Sequence, residues 1–405
     1  MKRWAAALLL VLLAFGAWLA GRHQALSAPP VWDQQVYLWQ RVWSTQHAQA
    51  LAASRDLFSS LRILALQLHP REGLRVMPVD TALLKQDGRP LWLVARLDGS
   101  QPRWDEERLY SRLLQLVQQY RAAGLSVVGI EIDHDAATAR LPQYRDALRR
   151  LRRQLPADVQ LSITALPAWL DSPQLPALLR QVDSSVLQLH AVLSPQQGLF
   201  DSRLALRWTQ RYAQVTNKPF RIALPAYGMG LVGVDAQGAQ VESEASLRVA
   251  GSLRELTVAP QHIADFLQRL SAHPQPHLRG VVWFRLPLAG DRRAWSMNTL
   301  RRVIRQQPLH SRWQVKMRPQ PQQNGLYDLI IANDGPADAP LPTAVTLAAG
   351  DCLAADAVGR YRLDATATQL RFIRTGDELV RAGQSRPLGW LRCQHLTPGG
   401  IRVTP

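Results

Sequence analysis

The chain has 405 residues, 47% of them hydrophobic, which suits one large domain plus a small one and supplies a sizeable core. Its formal net charge of +17 has the sign of a nucleic-acid binder, but only four of the 48 basic residues are lysines (Lys2, Lys85, Lys218, Lys316) and the arginines are spread along the whole length. That distribution speaks against a nucleic-acid interface and leaves an acidic polymer or an anionic membrane surface as partners of matching charge.

At the N-terminus Lys2-Arg3 precede an apolar run from Trp4 to Ala20, the layout of a signal peptide. Residues 1–28 are therefore expected to be a signal peptide or an N-terminal anchor. The protein is then periplasmic or secreted, with membrane attachment through residues 4–20 if the segment stays uncleaved; the run is short for a spanning helix.

Strand-like and helix-like segments then alternate. The predicted strands are Val36–Val42, Leu61–Leu68, Leu91–Leu97, Val127–Asp133, Val159–Ala165, Ser185–His190, Phe220–Leu224 and Leu278–Arg285. They are nearly continuous in apolarity, as strands covered on both faces are. Helical periodicity marks Trp104–Ala123, Tyr144–Arg153, Pro176–Gln181, Ser202–Tyr212, Pro260–Ser271 and Ser296–Arg305. Eight strands interleaved with helices over residues 31–310 is the count of an α/β fold of the (β/α)8 TIM-barrel type; a doubly wound open sheet is the alternative. No G-x-G-x-x-G follows any strand, and no cofactor is expected. Between the seventh strand and its helix, Gly228–Ala259 forms a long insertion with a hairpin turn expected at Asp235-Ala-Gln-Gly238.

From about Ser311 the helical pattern stops. Trp313–Met317, Tyr327–Ala332, Ala344–Leu347, Gln369–Ile373 and Trp390–Cys393 read as short strands, giving a β-sandwich-like accessory domain over residues 311–405. The two cysteines, Cys352 and Cys393, both fall there. In an oxidising compartment they would form one disulfide; two buried thiols are the alternative.

The chemistry concentrates in Gly129-Ile-Glu131-Ile-Asp133-His-Asp135. Side chains two apart on a strand share a face, so Glu131, Asp133 and Asp135 project together. Three acids on one face are costly unless they are paired, share a proton or meet a ligand. This segment resembles the D-G-x-D-x-D-x-E end of the fourth strand in glycoside hydrolase family 18, the chitinase-like barrels, with Val128 in place of the first Asp and Asp135 in place of the Glu. Leu224-Pro225-Ala226-Tyr227-Gly228 at the seventh strand and Gly280-Val-Val-Trp283-Phe284 at the eighth resemble the same family. The chain is also similar to a bacterial family of secreted proteins, the domain of unknown function 3142 family, in Tyr37-Leu-Trp39-Gln-Arg41-Val-Trp43, in Ile132-Asp133-His-Asp135 and in Leu161-Ser-Ile-Thr164-Ala-Leu166.

The chitinase-like resemblance implies that Asp135 takes the general-acid position and Asp133 the assisting position, in substrate-assisted cleavage of a polysaccharide such as a cell-envelope glycan. Asp is one methylene shorter than Glu, which shortens the reach by roughly 1.5 Å against a proton-transfer distance of about 2.6–3.2 Å. Glu131, deeper in the barrel, is expected to pair with Arg96 or Arg285. Trp39, Arg41, Arg96, Gln188, His190, Tyr227 and Trp283, at other strand ends, are the expected substrate-binding residues; Trp39 and Trp283 would equally serve as barrel core. Three readings follow: an exported glycan hydrolase, a non-catalytic carbohydrate-binding barrel, and a metal-dependent hydrolase built on His69, His190 and the acids. Neither His-x-His nor His-Glu-x-x-His is present, so no metal site is expected.

Overall fold

Eight strands pair in parallel and return to their start. The computed structural model describes residues 32–405 apart from 100–104, 191–197, 236–237, 243–253, 257, 292, 377 and 395–399. The expected signal segment lies outside the described residues. The strands are β1 (Asp33–Leu38), β2 (Ser60–His69), β3 (Leu91–Leu97), β4 (Val127–His134), β5 (Gln160–Ala165), β6 (Ser184–Gln188), β7 (Phe220–Pro225) and β8 (Leu278–Phe284). Each neighbours the next, and β1 pairs with both β2 and β8, which closes the barrel. The helices that follow each strand are α1 (Thr45–Ala53), α2 (Thr81–Asp87), α3 (Glu106–Ala122), α4 (Leu141–Gln154), α5 (Leu175–Leu179), α6 (Ser202–Val215), α7 (Pro260–Ala272) and α8 (Met297–Ile304). The TIM-barrel expectation holds and the open-sheet alternative falls.

β1 begins three residues earlier than expected and ends at Leu38, so Trp39–Trp43 belong to the loop that rises from the barrel toward α1. Helical periodicity does not mark α1 or α2; Asp80 caps α2 by accepting from the Leu83 amide at 2.9 Å.

The main core lies between barrel and helices. In β4, Ile130 and Ile132 join it, which turns Gly129, Glu131 and Asp133 to the interior. A small apolar layer of Tyr37, Val94, Val186, Ala223 and Val282 fills the middle of the barrel. Gly129 is required at its place: a Cβ there would come within 2.5 Å of the Trp92 ring, which fills the barrel floor. A register irregularity in β2 between Leu64 and Leu66 brings Arg62 and Gln67, five residues apart, to the same inner face.

In the insertion after β7, Met229–Asp235 pairs antiparallel with Gly238–Glu242 and with Arg254–Leu256. The expected hairpin is present; its two turn residues lie outside the described ones.

Beyond α8 come two four-stranded antiparallel sheets. One orders Trp313–Pro319, Leu326–Asn333, Ser385–Cys393 and Cys352–Ala357; the other orders Tyr361–Ala365, Gln369–Arg374, Ala344–Ala348 and Arg402–Thr404. They share one core that includes Leu329, Ile331, Val345, Phe372 and Leu391. Cys352 and Cys393 are disulfide-bonded across 41 residues. A loop of that length stabilises by about 3–4 kcal/mol in the chain-entropy model. Reduction is therefore expected to lower the denaturation midpoint of the β-module before that of the barrel, read by following Trp313 and Trp390 environments in a thiol titration at fixed urea.

The module is fastened to the barrel at the loop after β8. Buried Asp338 accepts from the Ser296 amide at 2.6 Å and its hydroxyl at 2.8 Å, and Arg381 donates to the carbonyls of Ala289 (2.9 Å) and Ala294 (2.7 Å).

Candidate active site at the barrel mouth

The interior of the barrel is charged from floor to mouth. At the floor Arg221 meets Asp33 at 2.6 Å. Above it, fully buried Glu131 takes a charge-assisted bond from equally buried Arg62, a bond from the Tyr37 hydroxyl at 2.6 Å, and longer ones from Ser162 and Thr164 at 3.4 Å. Arg62 also donates to Gln35 at 2.8 Å and stacks on Trp92 at 4.5 Å. The expected partner of Glu131 is Arg96 or Arg285; the structure corrects this to Arg62. Arg96 lies one pleat higher beside Asp133, and Arg285 turns away to Asp291 at 2.6 Å. Burial, then the charge of Glu131, pushes the Tyr37 phenol well above its ordinary pKa, so it stays a hydrogen-bond donor.

Arg96 organises the next layer. Its guanidinium donates to Asp98 at 3.0 Å, Asp133 at 3.0 Å and Asp135 at 2.5 Å. Asp98 also accepts from Gln67. Burial opposes the Arg96 charge, but Asp133 and Asp135 outweigh it and hold the guanidinium above its usual range. Asp133 is buried, whereas the Asp135 side chain is 40% exposed at the mouth. Burial pushes the Asp133 carboxyl up to about 6, with Asp135 and Glu131 adding to the rise and Arg96 opposing it. Asp133 therefore changes protonation near neutral pH, while Asp135 is the carboxyl that solvent reaches.

Aromatic side chains close one side of this layer around Phe284. Trp39 packs edge-on to it at 5.2 Å, Tyr227 is tilted against it at 5.1 Å, and His190 stacks on it at 5.3 Å. Burial pulls His190 down to about 4 and so keeps the imidazole neutral, while the charge of Asp135 acts against this. The Tyr227 hydroxyl is buried and has no hydrogen-bond partner among the described residues.

Of the expected binding residues, Trp39, Arg96 and Gln188 are half-buried at the mouth, His190 and Tyr227 are buried in its wall, and Arg41 is exposed on the loop above. Trp283 is not at the mouth; of its two expected places, the core one holds. It is fully buried on the helix side, donating to Gln34 at 2.7 Å and packing near Trp295 at 6.3 Å. Strand alternation explains this: Val282 and Phe284 face inward, so Trp283 between them faces out. Trp43 likewise stacks on His47 outside the mouth, at 4.8 Å. His69 accepts from the amides of Arg71 and Glu72 at 3.3 Å, and among the described residues no three His, Cys, Asp or Glu side chains are grouped as metal ligands would be.

The family profile described as Domain of unknown function (DUF3142) matches residues 87–289, half of the chain and the segment that carries β3 to β8. The chain belongs to this family. A second profile, Domain of unknown function (DUF8456), matches residues 316–394, inside the β-module that follows the DUF3142 barrel. No curated protein matches the chain. Among solved structures, the spore cortex-lytic enzyme SleL of Bacillus cereus is 12% identical with a TM-score of 0.49, covering 70% of this chain and 76% of its own. A chitinase from Chromobacterium violaceum is 13% identical with a TM-score of 0.48, covering 68% and 98%. A chitinase from Bacteroides thetaiotaomicron is 12% identical with a TM-score of 0.47, covering 63% and 89%.

Proposed function

We propose that this DUF3142 protein is an exported, glycoside-hydrolase-like barrel that engages a polysaccharide at its C-terminal mouth, with Asp135 as the carboxyl that meets the glycosidic oxygen and Asp133 as the proton-holding neighbour. One observation carries the reading: Asp133 and Asp135 share a single guanidinium at the barrel mouth, one of them buried, which pushes its carboxyl up, and the other exposed. Two carboxyls whose surroundings differ, one buried and one exposed, are the raw material of acid–base chemistry. Trp39 and Phe284 supply apolar faces on which sugar rings stack. Export is supported by the Lys2-Arg3 and apolar opening and by the Cys352–Cys393 disulfide, a bond typical of oxidising compartments.

A second reading has its own support. One Asp135 oxygen already accepts from Arg96 at 2.5 Å, and the side chain is a methylene shorter than Glu. That arrangement favours binding without cleavage. Screening the full chain against bacterial and fungal polysaccharides, for binding and for reducing-end release between pH 4 and 8, separates the two. Asp135→Asn is expected to abolish release while leaving binding intact and stability within about 1 kcal/mol, since a partly exposed ion pair contributes little. Binding with no release from the wild-type chain on any polymer would establish the non-catalytic reading; neither binding nor release would remove both.

A further inference from the structure

We propose that the cleft between the barrel and the β-module binds the anionic groups of an acidic polysaccharide, so that the polymer engaged at the mouth is itself acidic; this rests on the glycan reading above. The cleft holds about 770 Å³, within the span of roughly 300–1,000 Å³ typical of small-ligand sites. Among the described residues its wall carries Arg293, Arg360, Arg381 and Arg386, and one acid, Glu378. Arg386 donates to Glu378, and Arg360 stands 3.9 Å from the same carboxylate. Among the described lining residues, arginines therefore outnumber carboxylates. Arg381 is fixed by backbone carbonyls of the loop after β8, which orient its charge without neutralising it. Burial, and less strongly the charge of Arg386, hold Arg381 below its ordinary pKa, with Asp338 and Asp291 acting the other way. An oxyanion in the cleft would favour the charged guanidinium against that burial, and arginine forks match carboxylate and phosphate oxygens in pairs.

The cleft and the mouth meet at the same segment of chain, the loop that leaves β8. Its barrel side is the loop after β8, on the face where sites of this fold are built. Tyr227, in the wall of the mouth, makes a β-bridge to Ala294, which lines the cleft, and the Arg285 guanidinium lies 6.0 Å from the Tyr227 ring. On this proposal a chain of sugars leaving the mouth along the loop after β8 would reach this cleft. The DUF8456 module would then hold the charged stretch of a polymer whose neighbouring sugars occupy the barrel.

The test uses the full chain and affinity electrophoresis with polygalacturonate, a glycerol-phosphate polymer and neutral laminarin. At least one anionic polymer is expected to bind about tenfold tighter than laminarin, and which of the two does so tells a carboxylate from a phosphate ligand. Arg360→Gln/Arg386→Gln should erase that advantage, and Arg360→Gln alone, at a half-exposed side chain, should erase part of it if the double variant folds poorly. Arg149→Gln/Arg153→Gln, on the exposed face of α4, should not change it. An unchanged preference in the cleft variants, or an equal loss in the α4 pair, overturns the proposal. If Trp39→Ala weakens every polymer while the cleft variants weaken none, the mouth binds glycan and the cleft does not. If no polymer binds but inorganic phosphate shifts the thermal midpoint of the wild type and not of the cleft variants, the cleft stands as an oxyanion site and the glycan reading falls.

Discussion

Glu131→Gln is expected to lower the free energy of unfolding by about 3–5 kcal/mol, the cost of leaving a buried partner charge uncompensated. Glu131 and Arg62 are both fully buried inside the barrel, and neither is exposed to bulk solvent. The Gln side chain could still accept from the Tyr37 hydroxyl, so that bond is not the main loss. The loss is the negative charge opposite Arg62, whose remaining acceptor in the layer is neutral Gln35. Arg62→Met added to Glu131→Gln should recover much of the deficit, because a buried ion pair replaced whole by groups of similar volume is often neutral. Urea denaturation of the two single variants and the double variant measures this coupling. A Glu131→Gln protein within about 1 kcal/mol of wild type would mean that the charges are not desolvated as the structure has them.

The barrel was legible in the sequence because each strand is an apolar run bounded by polar residues, and eight of them with intervening helices admit few arrangements. The row Glu131, Asp133, Asp135 was legible for a simpler reason: a period of two needs no knowledge of neighbours. What the sequence hid was parity between strands. Arg62 stands in the apolar run of β2, and the irregularity between Leu64 and Leu66 breaks the count that would have put it and Gln67 on one face. A lone arginine inside such a run was itself a signal, since a buried guanidinium demands an acid. Trp283 was misplaced by the same kind of error. The motif points to a tryptophan, but the adjacent Phe284 holds the inward position, and only the pairing of β8 with β1 and β7 fixes which of the two faces the mouth. The cleft arginines were beyond reach, because Arg293 and Arg360 are brought together by the docking of two domains rather than by spacing.

Asp133→Asn is expected to remove hydrolysis and yet leave the protein at least as stable as wild type above pH 6. Asp133 sits at about 6 in the folded chain against an ordinary value of 3.8, so between those two pH values the folded state binds more protons at this site than the unfolded state does. Stability contributed by the group is then greatest at low pH and declines as pH rises from about 4 to about 6, reaching a cost of about 3 kcal/mol that persists at higher pH. Asn carries no charge to desolvate, and Arg96 keeps Asp98 and Asp135 as partners. The variant should match wild type at pH 4 and exceed it at pH 7.5 by up to about 3 kcal/mol, read from urea midpoints across that range. Activity, where the wild type shows it, should fall by about 10²–10⁴, the usual contribution of a positioned proton-transfer group. A group retained against folding stability is one kept for chemistry or binding. Should Asp133→Asn instead destabilise the protein equally at pH 4 and 7.5, Asp133 is a structural arm of the Arg96 network, and the mouth loses its proton-holding carboxyl.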